Sequence, residues 1–267
     1  LIKNGYNAVL ITDRRGKKYT SEFKGKTIII SASHLSGNLF YNIIGFIKLI
    51  YGLMQSFIFI IKFKPILAIS FGSYASLPPC FAIKFLKVFL NMKFYIHEQN
   101  SVIGKSNKYF LKYARKLFLN FNIDYNLSDL NKRKTLIVGL PFSNNYNTRN
   151  YSNQMTKNID QKHKIFLYGG SQGSVPLLKC FYKLLERFNS NQLQDIFFII
   201  QCPNFYKKEF KKMINNYNLN YEIKDFFHDL PSILKMIDLI ISRCGAGTIN
   251  DIILHKIPSL LIPLPNA

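Results

Sequence analysis

Short β-branched and aliphatic runs alternate along this chain with longer stretches whose apolar residues recur at helical spacing. That alternation predicts a parallel sheet with crossover helices. In the first half the predicted strands are Ala8–Ile11, Thr27–Ser31, Ile66–Phe71, Phe94–His97 and Leu117–Phe121. Helices are predicted around Ser76–Leu90 and Ser106–Tyr113, and Leu136–Val138 forms one more strand running into Gly139-Leu140-Pro141. From Ser143 to Lys164 the chain turns polar, rich in Asn, Ser and Thr, and reads as a linker. A second α/β series follows. Its predicted strands are Ile165–Tyr168, Ile196–Gln201, Tyr221–Lys224, Asp238–Ser242 and Ser259–Ile262; its helices are Val175–Phe188, Phe205–Tyr217 and Thr248–His255. The pattern predicts two Rossmann-like domains, 1–143 and 165–267, joined by a linker at 144–164, with the second domain incomplete.

One segment raises the question of a membrane. Leu39 to Ile61 holds 23 residues and a single charge, Lys48. By length it could span a bilayer. Lys48 near its centre, with Asn42 and Gln55, argues against that, because hydrocarbon penalises such groups. A spanning helix between two strands would also tear the sheet apart. A core helix and a helix lying in the membrane interface remain. In the interfacial case Lys62 and Lys64 would meet anionic head groups, while Phe57, Phe59, Ile60 and Ile61 entered the acyl boundary.

Composition narrows the classes. With 48% apolar and 19% charged residues the chain is globular, and disorder is excluded. Lys and Arg outnumber Asp and Glu by 36 to 14, a net charge of +22 that attracts anionic membrane or phosphorylated substrates. A chain saturated with Lys, Asn, Ile, Phe and Tyr also carries surface lysine for compositional reasons alone. The basic residues are scattered and no nucleic-acid-binding signature appears, so no nucleic-acid partner is expected. Cys80, Cys180, Cys202 and Cys244 lie far apart without CxxC or Cys/His spacing. They read as reduced thiols of a cytosolic protein, and neither a metal nor a cofactor is expected. The first residues lack a signal-peptide succession; because the chain does not open on Met, something is expected to precede Leu1.

Four motifs carry chemistry. Gly169-Gly170-Ser171-Gln172-Gly173-Ser174 lies between a strand and a long helix, where glycines let the backbone approach an anion and the helix end favours phosphate. A tight turn without a ligand explains the same residues. Ser242-Arg243-Cys244-Gly245-Ala246-Gly247-Thr248-Ile249-Asn250-Asp251 repeats the arrangement, with Asp251 expected in the helix's first turn, either as a cap or as a grip on two sugar hydroxyls. Tyr95-Ile96-His97-Glu98-Gln99-Asn100 clusters polar groups where a first-domain strand ends, the edge at which α/β sheets bind ligands. Ser70-Phe71-Gly72-Ser73-Tyr74 is a weaker signal of the same kind.

Taken together, SFGSYAS, IHEQNSVIGKSNK, the strand ending VGLP, YGGSQGS, and ISRCGAGTIND followed by KIPSLLIPLP resemble the MurG family over the whole chain. The resemblance implies an α/β GT-B fold, two Rossmann-like domains facing a cleft. It implies an inverting transfer of N-acetylglucosamine from UDP-N-acetylglucosamine to lipid I, giving lipid II. It further implies peripheral attachment to the cytoplasmic face of the bacterial cell membrane through an apolar patch ringed by basic residues, where Leu39–Lys64 falls. Donor contacts implied are Asn100, Gly170, Ser171, Gln172 and Gly173, the main-chain amide of Phe227, and Ala246, Gly247, Thr248, Ile249, Asn250 and Asp251. Gly72, Ser73, Tyr74 and Gln99 fall on the acceptor side, and His97 and Glu98 are candidate bases.

Four departures matter. The family's GNPVR run is Gly139-Leu140-Pro141-Phe142-Ser143, so an Arg that reaches the donor phosphates is Ser143. The ribose-binding Glu is Asp251, and the second Gly of the GGY turn is Ser73. The family's GGTGGH loop is expected before Leu1 and its Asp-x-x-Gln segment after Ala267. Two rivals follow: a remnant that holds UDP-sugar or membrane without turnover, and a GT-B sugar-nucleotide epimerase.

Overall fold

The computed structural model describes residues 2–21, 23–33, 39–122, 132–141, 163–170, 173–227 and 229–263. The chain divides into two units, Leu1–Leu140 and Pro141–Ala267. The expected linker lies almost wholly outside the described residues, as do Ser171 and Gln172.

The first unit opens with a two-stranded parallel pair, β1 (Val9–Thr12) and β2 (Lys26–Ile29). A long helix, α1 (Leu39–Phe63), leads to β3 (Leu67–Ser70), α2 (Leu77–Leu86), β4 (Lys93–Glu98), α3 (Lys105–Phe110), β5 (Lys116–Leu119) and β6 (Thr135–Ile137). Strands β3 to β6 pair in chain order, all parallel. Their alternate residues Phe94, Ile96, Leu117 and Leu119 are buried with Ile60, Ile83 and Phe110 in one core.

In the second unit the order is β7 (His163–Tyr168), α4 (Val175–Leu185), α5 (Ser190–Gln194), β8 (Ile196–Gln201), α6 (Asn204–Ile214), β9 (Asn220–Lys224), α7 (Leu230–Met236), β10 (Leu239–Arg243), α8 (Ala246–His255) and β11 (Ser259–Ile262). The sheet runs β11-β10-β7-β8-β9, again all parallel. Counted from β7 this is the Rossmann order, with its switch point between β7 and β10. Both faces are covered, as period-two strands in a parallel sheet require. Leu167, Phe198 and Ile200 pack against Phe181 and Phe210 on one side; Phe166, Ile199 and Ile240 pack against Leu234 and Ile252 on the other.

Every predicted strand occurs, most shifted by a residue or two, and β8 and β11 have the expected ends. Helices α5 and α7 had not been expected. Pro231 at the start of α7 and the Asp229 side chain, which accepts the Ser232 N–H at 3.3 Å, are its start signals.

Helix α1 corrects the expected membrane-facing set. Gly45, Gly52, Ser56 and Ile60 are its buried positions. A Cβ on Gly52 would fall 1.8 Å from the Ser31 carbonyl oxygen, so only glycine lets the helix pass there. Gln55 accepts the Ser31 N–H at 2.8 Å, which makes it a structural link. Ile60 is therefore core, and Phe57 and Phe59 are half-buried against it. The exposed stripe is instead Ile43, Ile47, Ile50, Met54, Ile58 and Ile61, with Phe46 and Tyr51 alongside. These stripe positions are spaced three or four apart and share one helix face.

Candidate functional site

In the first unit the carboxyl ends of β3 to β6 gather the polar groups. Glu98, the last residue of β4, is only 2% exposed, and both carboxylate oxygens are engaged. Oε1 accepts the Asn100 backbone N–H at 3.0 Å and its side-chain amide at 3.1 Å; Oε2 accepts the Gly104 N–H at 2.9 Å and the Asn107 amide at 2.8 Å. Four N–H donors on one buried carboxylate make it the organiser of the 98–107 loop. Glu98, one of the two candidate bases, is thus engaged as an acceptor within its own loop. His97 is buried beside it, and its Nε2 donates to the Gly139 carbonyl at 2.9 Å while Phe71 packs on the ring. Its Nδ1 is buried with no hydrogen-bond partner among the described residues.

The side chain of Asn100 is exposed, its amide steered by Glu98 and its Oδ1 left available. Asn120 ties the next strand in, donating to the Gln99 carbonyl at 3.0 Å. Gly72, at φ 77°, lies where a Cβ would stand 3.0 Å from the Asn107 amide nitrogen. Ser73 follows at φ 79° and ψ 168°, a conformation natural to glycine, and Tyr74 starts the short turn before α2. Asn107 lay within the IHEQNSVIGKSNK motif without a role of its own, and Asn120 looked like one more Asn in an Asn-rich chain.

In the second unit the turns after β7 and β10 flank the switch point, since Tyr168 and Ser242 are register partners at the strand ends. Gly169 permits a close approach: a Cβ there would lie 2.2 Å from the Ser174 nitrogen. Gly170 and Gly173 hold positive φ, 83° and 73°. The Gly173 N–H donates to the Gly170 carbonyl at 3.1 Å. Ser174 caps α4, accepting the Leu177 N–H at 3.3 Å, and Val175 at the first helical position has no intrahelical acceptor.

Helix α8 starts at Ala246 behind Gly245, without a side-chain cap. That leaves the N–H groups of Ala246, Gly247 and Thr248 at a helix end, and a Cβ on Gly247 would meet open space. The early start moves Asp251 to the sixth helical position, so it is neither a first-turn residue nor a cap. Asn250 returns its amide to the Ala246 carbonyl at 2.8 Å, and Ile249 is half-buried. Phe227 is 8% exposed with its ring edge-on to Phe166, leaving the main chain as the part that could meet a ligand. Arg243 donates to the Pro263 carbonyl at 3.0 Å, tying β10 to the end of β11. Among the described residues no group of three or more His, Cys, Asp or Glu side chains is placed to hold a metal ion.

A Rossmann-ordered sheet with two small-residue turns at its switch point, in a chain whose other unit is also a parallel α/β unit, is the architecture of the GT-B fold. Residues 1–119 match the glycosyltransferase family 28 N-terminal domain and residues 164–267 the C-terminal domain of the same family. The UDP-N-acetylglucosamine–N-acetylmuramyl-(pentapeptide) pyrophosphoryl-undecaprenol N-acetylglucosamine transferase of Rickettsia felis is 31% identical over all of this chain and 74% of its own length. The crystal structure of Acinetobacter baumannii MurG superposes with a TM-score of 0.68 at 19% identity, covering 100% of this chain and 72% of that one. A UDP-GlcNAc 2-epimerase from Methanocaldococcus jannaschii shares the fold at a TM-score of 0.56 and 12% identity, over 95% and 74%. The chain belongs to glycosyltransferase family 28, among the MurG-type hexosyltransferases.

Proposed function

We propose that this chain transfers N-acetylglucosamine from UDP-N-acetylglucosamine to the 4-hydroxyl of lipid I, forming lipid II and releasing UDP. What carries the reading is the pair of turns at the β7/β10 switch point in a chain akin to named transferases along its whole length. In this reading the second unit holds the donor. The Gly170 and Val175 N–H groups, with Ser171, meet the diphosphate, backed by the α4 dipole. The amide of Phe227 reads uracil, and the start of α8 with Asp251 holds the ribose. Within the first unit, donor recognition is assigned to Asn100, which Glu98 steers, and acceptor recognition to the Gly72–Tyr74 turn and Gln99.

Displacement at the anomeric carbon needs a base for the acceptor hydroxyl and stabilisation of the departing diphosphate. We assign Glu98 to positioning, and His97 to anchoring the Gly139 turn while its Nδ1 keeps accepting capacity. Membrane attachment is assigned to the exposed α1 stripe, extended by Phe85, which stacks on Phe57, with Lys62 and Lys64 at the helix's end. The protein then works on the cytoplasmic face of the cell membrane, at an anionic surface. Calorimetric titration with UDP-N-acetylglucosamine tests the donor site: Ser171→Ala and Asp251→Ala should each weaken binding, and unchanged affinity in both would refute it.

A further inference from the structure

We infer that Gln201 is a positioning residue that sets the spacing between the diphosphate half and the base half of the donor site. The inference rests on the donor-site reading above and adds a residue to it.

Strand β8 is apolar (IFFII) until its last residue, Gln201, which is 2% exposed. A buried amide is costly unless both of its ends are bonded. Here they are bonded to main chain on either side of β8. Oε1 accepts the N–H of Gly169, the first residue of the turn after β7, at 3.0 Å. Nε2 donates to the carbonyl of Asp225, the first residue after β9, at 3.4 Å. A leucine or methionine would fill the same space in the strand; the amide's distinct contribution is the link across three strand ends.

Each anchor is itself fixed. Gly169 is crowded by the Gly173 and Ser174 backbone, where a Cβ would stand 2.2 Å from the Ser174 nitrogen. The Asp225 carboxylate is held by the Asn204 amide at 2.8 Å, which fixes the peptide two residues before Phe227. A nucleotide's base and phosphates are tethered through one ribose, which limits how far apart they can be held. Both are gripped at once only if the two protein segments keep a matching separation, and a ligand that must realign them loses affinity. Gln201 bonds both segments.

The test is the preference of the chain for UDP over uridine, measured by calorimetry with and without Gln201→Met. With the link cut, UDP affinity should fall about tenfold, the scale of one hydrogen bond to aligned main chain, while uridine affinity stays within about twofold. The preference for UDP then shrinks nearly tenfold. An unchanged preference overturns the inference, even if the melting temperature falls, because it would leave Gln201 a purely structural residue. If Gln201→Met does not fold, Gln201→Asn keeps the amide but shortens its reach, and the same ratio decides. A wild-type chain that binds neither ligand removes the donor-site reading and this inference with it.

Discussion

Replacing Ser73 by glycine should stabilise the first unit. Ser73 holds φ 79° and ψ 168°, a region that side chains with a Cβ enter at a cost of about 1–3 kcal/mol. Glycine adopts it freely but loses about 0.5–1 kcal/mol more backbone entropy on folding. The side chain makes no hydrogen bond among the described residues to set against removal. Ser73 is exposed, and its bonds to Ser76 run through its own carbonyl, which accepts the Ser76 hydroxyl at 2.8 Å and N–H at 3.2 Å. Those bonds survive in Ser73→Gly, so the net gain is about 1 kcal/mol. Urea denaturation followed by tyrosine fluorescence reads it as a higher midpoint at unchanged slope. Gly72→Ala is the opposing control, since its φ of 77° and the nearby Asn107 amide both penalise a Cβ. A lower or unmoved midpoint for Ser73→Gly would refute the strain at this turn.

Glu98→Gln should cost about 2–3 kcal/mol in the same assay, because an amide presents an N–H to a site built from four N–H donors. Ile47→Glu combined with Ile50→Glu should abolish co-flotation with anionic vesicles without lowering the melting temperature, since both side chains are exposed. Burial pushes the Cys80 and Cys202 thiols from an ordinary 9.0 up to about 11, while Cys180 and Cys244 are exposed. Alkylation of native protein at pH 8 should therefore modify Cys180 and Cys244 first, with the buried pair reacting about a hundredfold more slowly. Because the folded protein favours the neutral buried thiols, their contribution to stability is present below pH 9 and is lost as pH rises through about 11.

The fold was legible because strand and helix periods differ and every strand is bounded by turn residues. The face of α1 was not. Its 25 residues are apolar almost all the way round, so periodicity cannot choose a side. Gly52 chooses it by letting the Ser31 carbonyl approach, and Gly45 and Ser56 are buried on the same side. At the site, the turns after β7 and β10 were visible as glycine-rich strand-to-helix junctions. The work of Glu98 was hidden, since two of its donors, Gly104 and Asn107, lie six and nine residues on and reach it only once the loop folds. Asp251 was placed one turn too early because α8 begins at Ala246, where a Gly-Ala-Gly run gave no start signal. Gln201 passed as the polar end of an apolar strand; its two partners are 24 and 32 residues away.

Incubation of the full-length protein with labelled UDP-N-acetylglucosamine and lipid I in anionic vesicles tests the proposed function most directly. The label should move into lipid II with release of UDP. UDP-sugar binding without transfer would instead identify a remnant, and conversion of the free sugar nucleotide an epimerase; either result contradicts the proposed transfer.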